Sequence, residues 1–366
     1  MTLAARLPEY PWDELGPLKE KASLFRNGPV DLSIGTPVDP VPAVIQDALV
    51  AAADAPGYPQ TAGTPELRAA AAGWLERALG VCVAPETILP VIGTKELVAW
   101  LPSILGLGRG DRVLYPSLAY PTYDIGARLA GASSVATDSF EDVESAGLLW
   151  VNSPSNPTGQ VKPASWLRSA MAWARSRGCV LASDECYITL GWSSSPVSVL
   201  HPSVCGGSFD GLLGVYSLSK RSNLAGYRSG FITGDPALIR ELLLVCKQAG
   251  MIVPGPVQAA MTAALNDDAH ADAQRSRYEA RRSVLLAGFT AAGFRVDHSE
   301  AGLYLWARHP DHDSRSACEW LATSCGILVG PGHIYGAAGA RHIRVALTAT
   351  DERVAEAGQR LYALAG

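Results

Sequence analysis

The chain has 366 residues, of which 48% are hydrophobic and 18% charged, with a formal net charge of −5. That length supports two domains, or one large domain with a subdomain, around a sizeable core, and the composition excludes a chain dominated by disorder. The acidic balance, with Lys and Arg scattered rather than clustered, argues against nucleic acid as the main partner.

From the N-terminus, residues 1–30 are polar and broken by Pro8, Pro11 and Pro17, while Trp12 with Leu15 and Leu18 predicts an arm or short helix that packs on another element. Residues 30–34 read as a short extended piece before Gly35-Thr36-Pro37, and residues 41–53 have a helical period that Pro56-Gly57-Tyr58-Pro59 breaks. Thr64-Pro65-Glu66 is a helix start, with an N-cap hydroxyl and proline at the first helical position. That helix is expected to run to Leu79 and to end at Gly80. Short apolar runs at 88–92, 112–115, 148–152, 179–183, 212–216 and 230–233 read as strands, with helical stretches at 96–105, 122–130 and 164–177 among them. This rhythm predicts an α/β fold, a mostly parallel sheet flanked by helices, with ligands at the carboxyl ends of its strands. Helices at 236–250, 256–265 and 271–292 follow. Strands at 294–298, 302–307, 327–329 and 343–347, with helices at 314–325 and 351–364, then read as a smaller α+β domain. The expected division is 36–270 for the large domain, and 1–35 plus 271–366 for the small domain and N-terminal arm.

The seven cysteines are odd in number and form no CxxC pair, which fits a reducing compartment better than a disulfide framework or a zinc site. Residues Met1 to Tyr10 carry no apolar segment of signal-peptide type, and no apolar run reaches membrane-spanning length. A cytoplasmic protein is expected.

The candidate chemistry gathers at the strand ends. Ser217-Leu218-Ser219-Lys220 follows the run 212–216, with Arg228 eight residues after the lysine and Gly230 beyond it. A lysine there can lose solvent, drop its pKa and act as an amine nucleophile. The hydroxyls and Arg228 are the donors a phosphate needs. The combination suggests a lysine that forms a Schiff base with a phosphorylated aldehyde cofactor, although an isolated lysine of this kind is more often an ordinary surface residue. Asp184 closes the run 180–183, and an unpaired carboxylate at a buried strand end should face a cation or a cavity; a protonated ring nitrogen would serve. Tyr187, three residues on, offers a phenol to the same place. Asn152 to Gly159 is a turn-rich loop after an expected central strand. Gly93-Thr94-Lys95-Glu96 opens a helix after a strand, where backbone N–H groups can hold an anion. Arg344, flanked by apolar residues in a strand, suits a substrate carboxylate if it points inward and water if it does not.

Three signals are declined. Gly106-Leu107-Gly108-Arg109-Gly110 lacks the third spacing of a dinucleotide loop and follows a helix. His309-Pro310-Asp311-His312-Asp313 reads as an exposed loop rather than a metal site. Ser217-x-x-Lys220 satisfies the pattern of serine acyl-enzymes but lacks their downstream Ser-Asp-Asn and Lys-Thr-Gly, so it stays a remote alternative.

Taken together, these residues resemble the fold-type I pyridoxal-phosphate-dependent aminotransferases of class I/II, over nearly the whole chain and in the family's order of motifs. The resemblance implies pyridoxal 5′-phosphate as cofactor, with Lys220 as the Schiff-base lysine and Ser217 and Arg228 on the phosphate. It implies Asp184 at the pyridine nitrogen, Tyr187 and Asn156 at the ring hydroxyl, and Tyr120, in Tyr-Pro-Thr-Tyr, stacked on the ring. Thr94 and Lys95 would hold phosphate through backbone amides, and Gly35, Asn156 and Arg344 would hold the substrate. Tyr58 would reach the phosphate of the neighbouring subunit of a homodimer with shared active sites. Within the family the chain is most similar to the N-succinyldiaminopimelate aminotransferases, through Leu7 to Trp12, Val30 to Pro42 and Pro56 to Pro59. That implies exchange between N-succinyl-LL-2,6-diaminopimelate and 2-oxoglutarate in lysine and diaminopimelate biosynthesis. An aspartate, aromatic or broad-specificity aminotransferase, or a β-lyase, is the alternative in the same fold. A DNA-binding regulator built on this fold is disfavoured for want of a basic helix–turn–helix extension.

Overall fold

A computed structural model describes residues 2–364; residues 1, 365 and 366, which the expected arm and small domain include, lie outside the described residues. Among the described residues twelve strands form two sheets. In chain order they are β1 (Val30–Leu32), β2 (Leu89–Ile92), β3 (Arg112–Tyr115), β4 (Ser133–Ala136), β5 (Leu148–Asn152), β6 (Val180–Asp184), β7 (Leu212–Ser217), β8 (Ser229–Gly234), β9 (Arg295–His298), β10 (Tyr304–Arg308), β11 (Ile327–Pro331) and β12 (Ile343–Ala346). The seven-stranded sheet has the order β2-β8-β7-β6-β5-β3-β4, and the five-stranded sheet β1-β11-β12-β10-β9.

The large sheet is parallel from β4 through β7, and β8 alone runs antiparallel to both its neighbours. Its reversal follows from its connection: residues 218–228 hold a single helical turn, too little chain for a crossover to a parallel neighbour. Strands β5, β6 and β7 are buried almost throughout, which is why they read as continuous apolar runs rather than alternating ones. Sequence reading missed β4, because Ser133-Ser134-Val135-Ala136 is a half-exposed edge strand with little apolar content.

Helix termini were better specified. The helix Pro65–Leu79 begins at Thr64, whose side chain accepts from the Leu67 amide, and ends at Gly80 in the left-handed conformation. Lys220 lies in a short helix, Leu218–Arg221, rather than at a bare strand end, because the Ser217 side chain caps the Ser219 amide as β7 finishes.

The second sheet joins β1, from the N-terminal part, in parallel to β11. Its core, with Tyr278, Leu285 and Phe289 of the long helix Ala269–Ala291, is distinct from the two clusters that cover the large sheet. His309 packs there between Phe294 and Trp320, at 5.1 and 5.2 Å between ring centroids. No helix among the described residues is long and apolar enough to cross a membrane.

Candidate active site

The carboxyl ends of β5, β6 and β7 lie side by side, with Asn152 in register with Asp184 and Asp184 with Val215. A cavity of about 280 Å³ opens over them. Eleven of the twelve residues singled out from sequence line it: Asp184, Tyr187 and Lys220; Thr94, Lys95, Ser217 and Arg228; Gly35, Tyr120, Asn156 and Arg344. Tyr58, the twelfth, is fully exposed and lies outside its own chain's cavity.

Lys220 donates from Nζ to the Gly35 carbonyl oxygen. Burial pushes its ammonium down to about 8, and the Arg344 and Arg228 charges act in the same direction. Asp184, 7% exposed, accepts from the Tyr123 hydroxyl at 2.7 Å on Oδ2 and from the Cys186 amide at 3.2 Å on Oδ1. Burial raises its carboxyl, and the Cys186 and Tyr123 hydrogen bonds oppose that rise. The Tyr187 hydroxyl lies 3.1 Å from that of Tyr304.

On one side the helix Thr94–Ile104 points its N-terminus at the cavity, a place where amides and helix dipole favour an anion. Gly93 precedes it at φ +74°, and a Cβ there would lie 2.7 Å from Arg228 Cζ. Arg228 itself sits in the left-handed region at φ +55° and donates to the Ala225 carbonyl at 2.9 Å. On the other side Arg344 is 2% exposed. Its Nη1 donates to Asn156 Oδ1 at 2.9 Å and its Nη2 to the Ser33 carbonyl at 2.8 Å, while Nε has no partner. Three aromatic rings surround its guanidinium: Tyr304 at 4.1 Å, Tyr335 at 4.8 Å and Trp12 at 5.3 Å.

Sequence reading missed Tyr10, Trp12, Tyr123, Cys186 and Tyr304. Trp12 was expected to pack on something, and what it packs on is Arg344 and Tyr335. Tyr304 was legible only as a residue of a strand; its role as a wall of the cavity depends on β10 lying beside β12.

The model of the family "Aminotransferase class I and II" matches residues 27–361. The chain is 57% identical to the 4-dedimethylamino-4-oxo-anhydrotetracycline transaminase OxyQ of Streptomyces rimosus, over 97% of this chain and 99% of that protein. It is also 57% identical to the probable aminotransferase Rv1178 of Mycobacterium tuberculosis, over 98% and 86% of the two chains. LL-diaminopimelate aminotransferase 2 of a Nostoc species is 31% identical over 97% and 96%. Among solved structures, an aminotransferase from Neisseria meningitidis superposes with a TM-score of 0.91 at 30% identity, covering 99% of each chain. The chain belongs to the class I and II aminotransferases. It is an enzyme of amino-group transfer between amino and keto acids, and its cofactor is pyridoxal 5′-phosphate.

The cavity fits that cofactor by the charges it leaves uncompensated. Among the described residues no cation pairs with buried Asp184, and no carboxylate pairs with Lys220, Arg228 or Arg344. Asp184 and Arg344 are buried and Lys220 is half-buried, so charge without a partner there is costly, while Arg228 is exposed at the cavity's edge. A protonated ring nitrogen, an aldehyde, a phosphate and a substrate carboxylate are the groups that answer them.

Proposed function

We propose that Lys220 carries the cofactor and exchanges the proton at the substrate's Cα, and that Arg344 holds the substrate's α-carboxylate. The observation that carries this reading is Arg344: a guanidinium buried without a carboxylate, in the wall of the cavity that also holds a lysine shifted toward neutrality. When bound, pyridoxal phosphate supplies the electron sink that stabilises negative charge at Cα. Asp184 keeps the ring nitrogen protonated. The amides of Thr94 and Lys95, with Ser217 and Arg228, hold the phosphate. Tyr187 and Asn156 hold the ring hydroxyl, Tyr120 stacks on the ring, and Gly35 borders the substrate. Lys220 Nζ, once neutral, takes the Cα proton as general base. Residues 36–270 make the cofactor-binding domain, and 1–35 with 271–366 the smaller domain and arm. Two copies form a cytoplasmic homodimer in which exposed Tyr58 completes the neighbour's phosphate site.

For the substrate, we propose N-succinyl-LL-2,6-diaminopimelate with 2-oxoglutarate and glutamate, in lysine and diaminopimelate biosynthesis. Support comes from the segments at 7–12, 30–42 and 56–59, and from the similarity to LL-diaminopimelate aminotransferases. A second cavity of about 570 Å³ beside the first, sharing Tyr10, Trp12, Lys95 and Tyr120 with it, gives room for a long substrate. A second reading, amination of a ring ketone, is favoured by the 57% identity to OxyQ and by the apolar side chains of that cavity, Ile125, Ile334 and Tyr335 among them.

Purified wild type loaded with pyridoxal phosphate should show a visible band that Lys220→Ala abolishes. A single-turnover screen of amino donors, following loss of that band, then tests the substrate. Fast reaction with glutamate and N-succinyldiaminopimelate, but not with aspartate or aromatic amino acids, is expected; no reaction with N-succinyldiaminopimelate would overturn the assignment.

A further inference from the structure

Tyr123 lies in the helix Thr122–Ala130 and is wholly buried. Its ring stacks on Trp150 of β5, with 5.0 Å between centroids and 29° between planes, and Tyr120 abuts it edge-on at 6.1 Å. Its hydroxyl donates to Asp184 Oδ2 at 2.7 Å. We propose that Tyr123 is the positioning residue that aims Asp184, occupying Oδ2 so that the carboxylate meets the ring nitrogen of pyridoxal phosphate in one fixed orientation.

The inference rests on the reading of Asp184 as the ring-nitrogen partner. A carboxylate at a strand end is free to turn about its own side-chain bonds unless its oxygens are held. The Cys186 amide reaches Oδ1 at the longer distance of 3.2 Å, and Asn152 Nδ2 holds only the Asp184 backbone oxygen, at 2.9 Å. The Cys186 thiol also acts on this carboxylate, but Tyr123 makes the shorter of the two hydrogen bonds to its oxygens, and a hydrogen bond to a carboxylate is charge-assisted. Burial and the neighbouring Asp184 charge push the phenol's ionisation well above the ordinary tyrosine range, so it stays a donor. Outer groups of this kind fix the orientation and basicity of the residue that touches the cofactor.

The alternative is that Tyr123 only fills the core between the helix and β5. A double-mutant cycle separates the two. Cofactor dissociation constants are measured by fluorescence for wild type, Tyr123→Phe, Asp184→Asn and the double variant, with thermal midpoints of the cofactor-free proteins as a folding control. Tyr123→Phe keeps the stack and is expected to weaken cofactor binding about 10-fold, the scale of one hydrogen bond to a charged group. It should also shift the pH midpoint of the visible band. In the Asp184→Asn background the same change should alter binding less than about twofold, since the charged partner is gone. An equal loss in both backgrounds, or unchanged binding and pH profile in Tyr123→Phe, would overturn the proposal. Should Tyr123→Phe not fold, 3-fluorotyrosine at position 123 keeps the shape and strengthens the donor, and must move the pH midpoint the opposite way. Failure of the underlying reading is distinct: Asp184→Asn alone would then bind cofactor with wild-type affinity and spectrum.

Discussion

Arg344 Nη1 donates to Asn156 Oδ1 at 2.9 Å, a bond between β12 of the small sheet and the loop after β5 of the large one. The same guanidinium reaches the Ser33 carbonyl through Nη2, so one arginine links the N-terminal segment, the turn-rich loop and the C-terminal strand. A planar guanidinium can serve both acceptors at once and keep N–H groups for a carboxylate; a single ammonium point charge cannot reproduce that geometry. Arg344→Lys is expected to raise KM for glutamate at least about tenfold, and Arg344→Ala to lower kcat/KM about 100-fold, equivalent to ~3 kcal/mol. Steady-state kinetics with glutamate as donor would check this, and an unchanged KM in both variants would remove Arg344 from the carboxylate site.

Gly93 is required twice over. Its φ of +74° disfavours any L side chain, and a Cβ would collide with the Arg228 guanidinium. Gly93→Ala should therefore cost about 1–2 kcal/mol of stability from backbone strain. Because it displaces Arg228 from the helix N-terminus, it should weaken cofactor binding as well. Thermal unfolding and cofactor titration of the variant test the two effects separately; wild-type cofactor affinity would show that Arg228 does not depend on the glycine.

Much of this site was legible in the sequence because each part is local. Lys220 and Arg228 belong to one segment, Thr94 and Lys95 to one helix start, and Asp184 to one strand end, and the order of strands brings those ends together. What sequence could not supply was partnership across the fold. Tyr123 reads as one more aromatic residue in a helix until β5 and β6 are placed beside it. Trp12 and Tyr304 acquire a role only when Arg344 lies between them. The edge strand β4 escaped notice for a different reason: half-exposed edge residues need not be apolar, so the pattern that marks β5 to β7 is absent.

Arg281 holds a second long-range junction. It is 2% exposed and donates to both oxygens of Asp39, at 2.8 and 2.6 Å, and to Asp351 at 2.6 Å. Burial works against ionised Asp39, but Arg281, with Gln274 and Arg277, outweighs it and holds the carboxyl below its usual value. Removing one partner of a buried pair strands the other. Arg281→Met is expected to cost about 3 kcal/mol and to lower the thermal midpoint by several degrees. Asp39 has its folded value depressed, so its stabilising contribution is present above the unfolded carboxylate value and fades as pH falls through the folded one. The wild-type advantage over Arg281→Met should accordingly shrink in acid below about pH 4. A constant difference from pH 7 to pH 3 would contradict this account of the junction.

Lys220 gives a slope of the same sign in an alkaline window. Burial places its folded value at about 8, against 10.5 in the absence of burial. Between those values the unfolded chain holds a proton on this lysine that the folded chain has released. Folding is then favoured as pH rises, by at most about 1.4 kcal/mol for each pH unit. Below about pH 8 both states are protonated and the slope vanishes, leaving a buried charge as a standing cost. Lys220→Met removes the group and with it both the cost and the slope. Cofactor-free Lys220→Met should therefore be more stable than cofactor-free wild type at pH 7, and the gap should close as pH is raised toward 10. Paired thermal unfolding curves across that range read the difference directly, with other titrating groups cancelling between the two proteins. A gap that stays constant with pH would mean that Lys220 keeps an ordinary lysine value in the folded chain, and its part as the proton-accepting amine at Cα would then depend wholly on changes made by the bound cofactor.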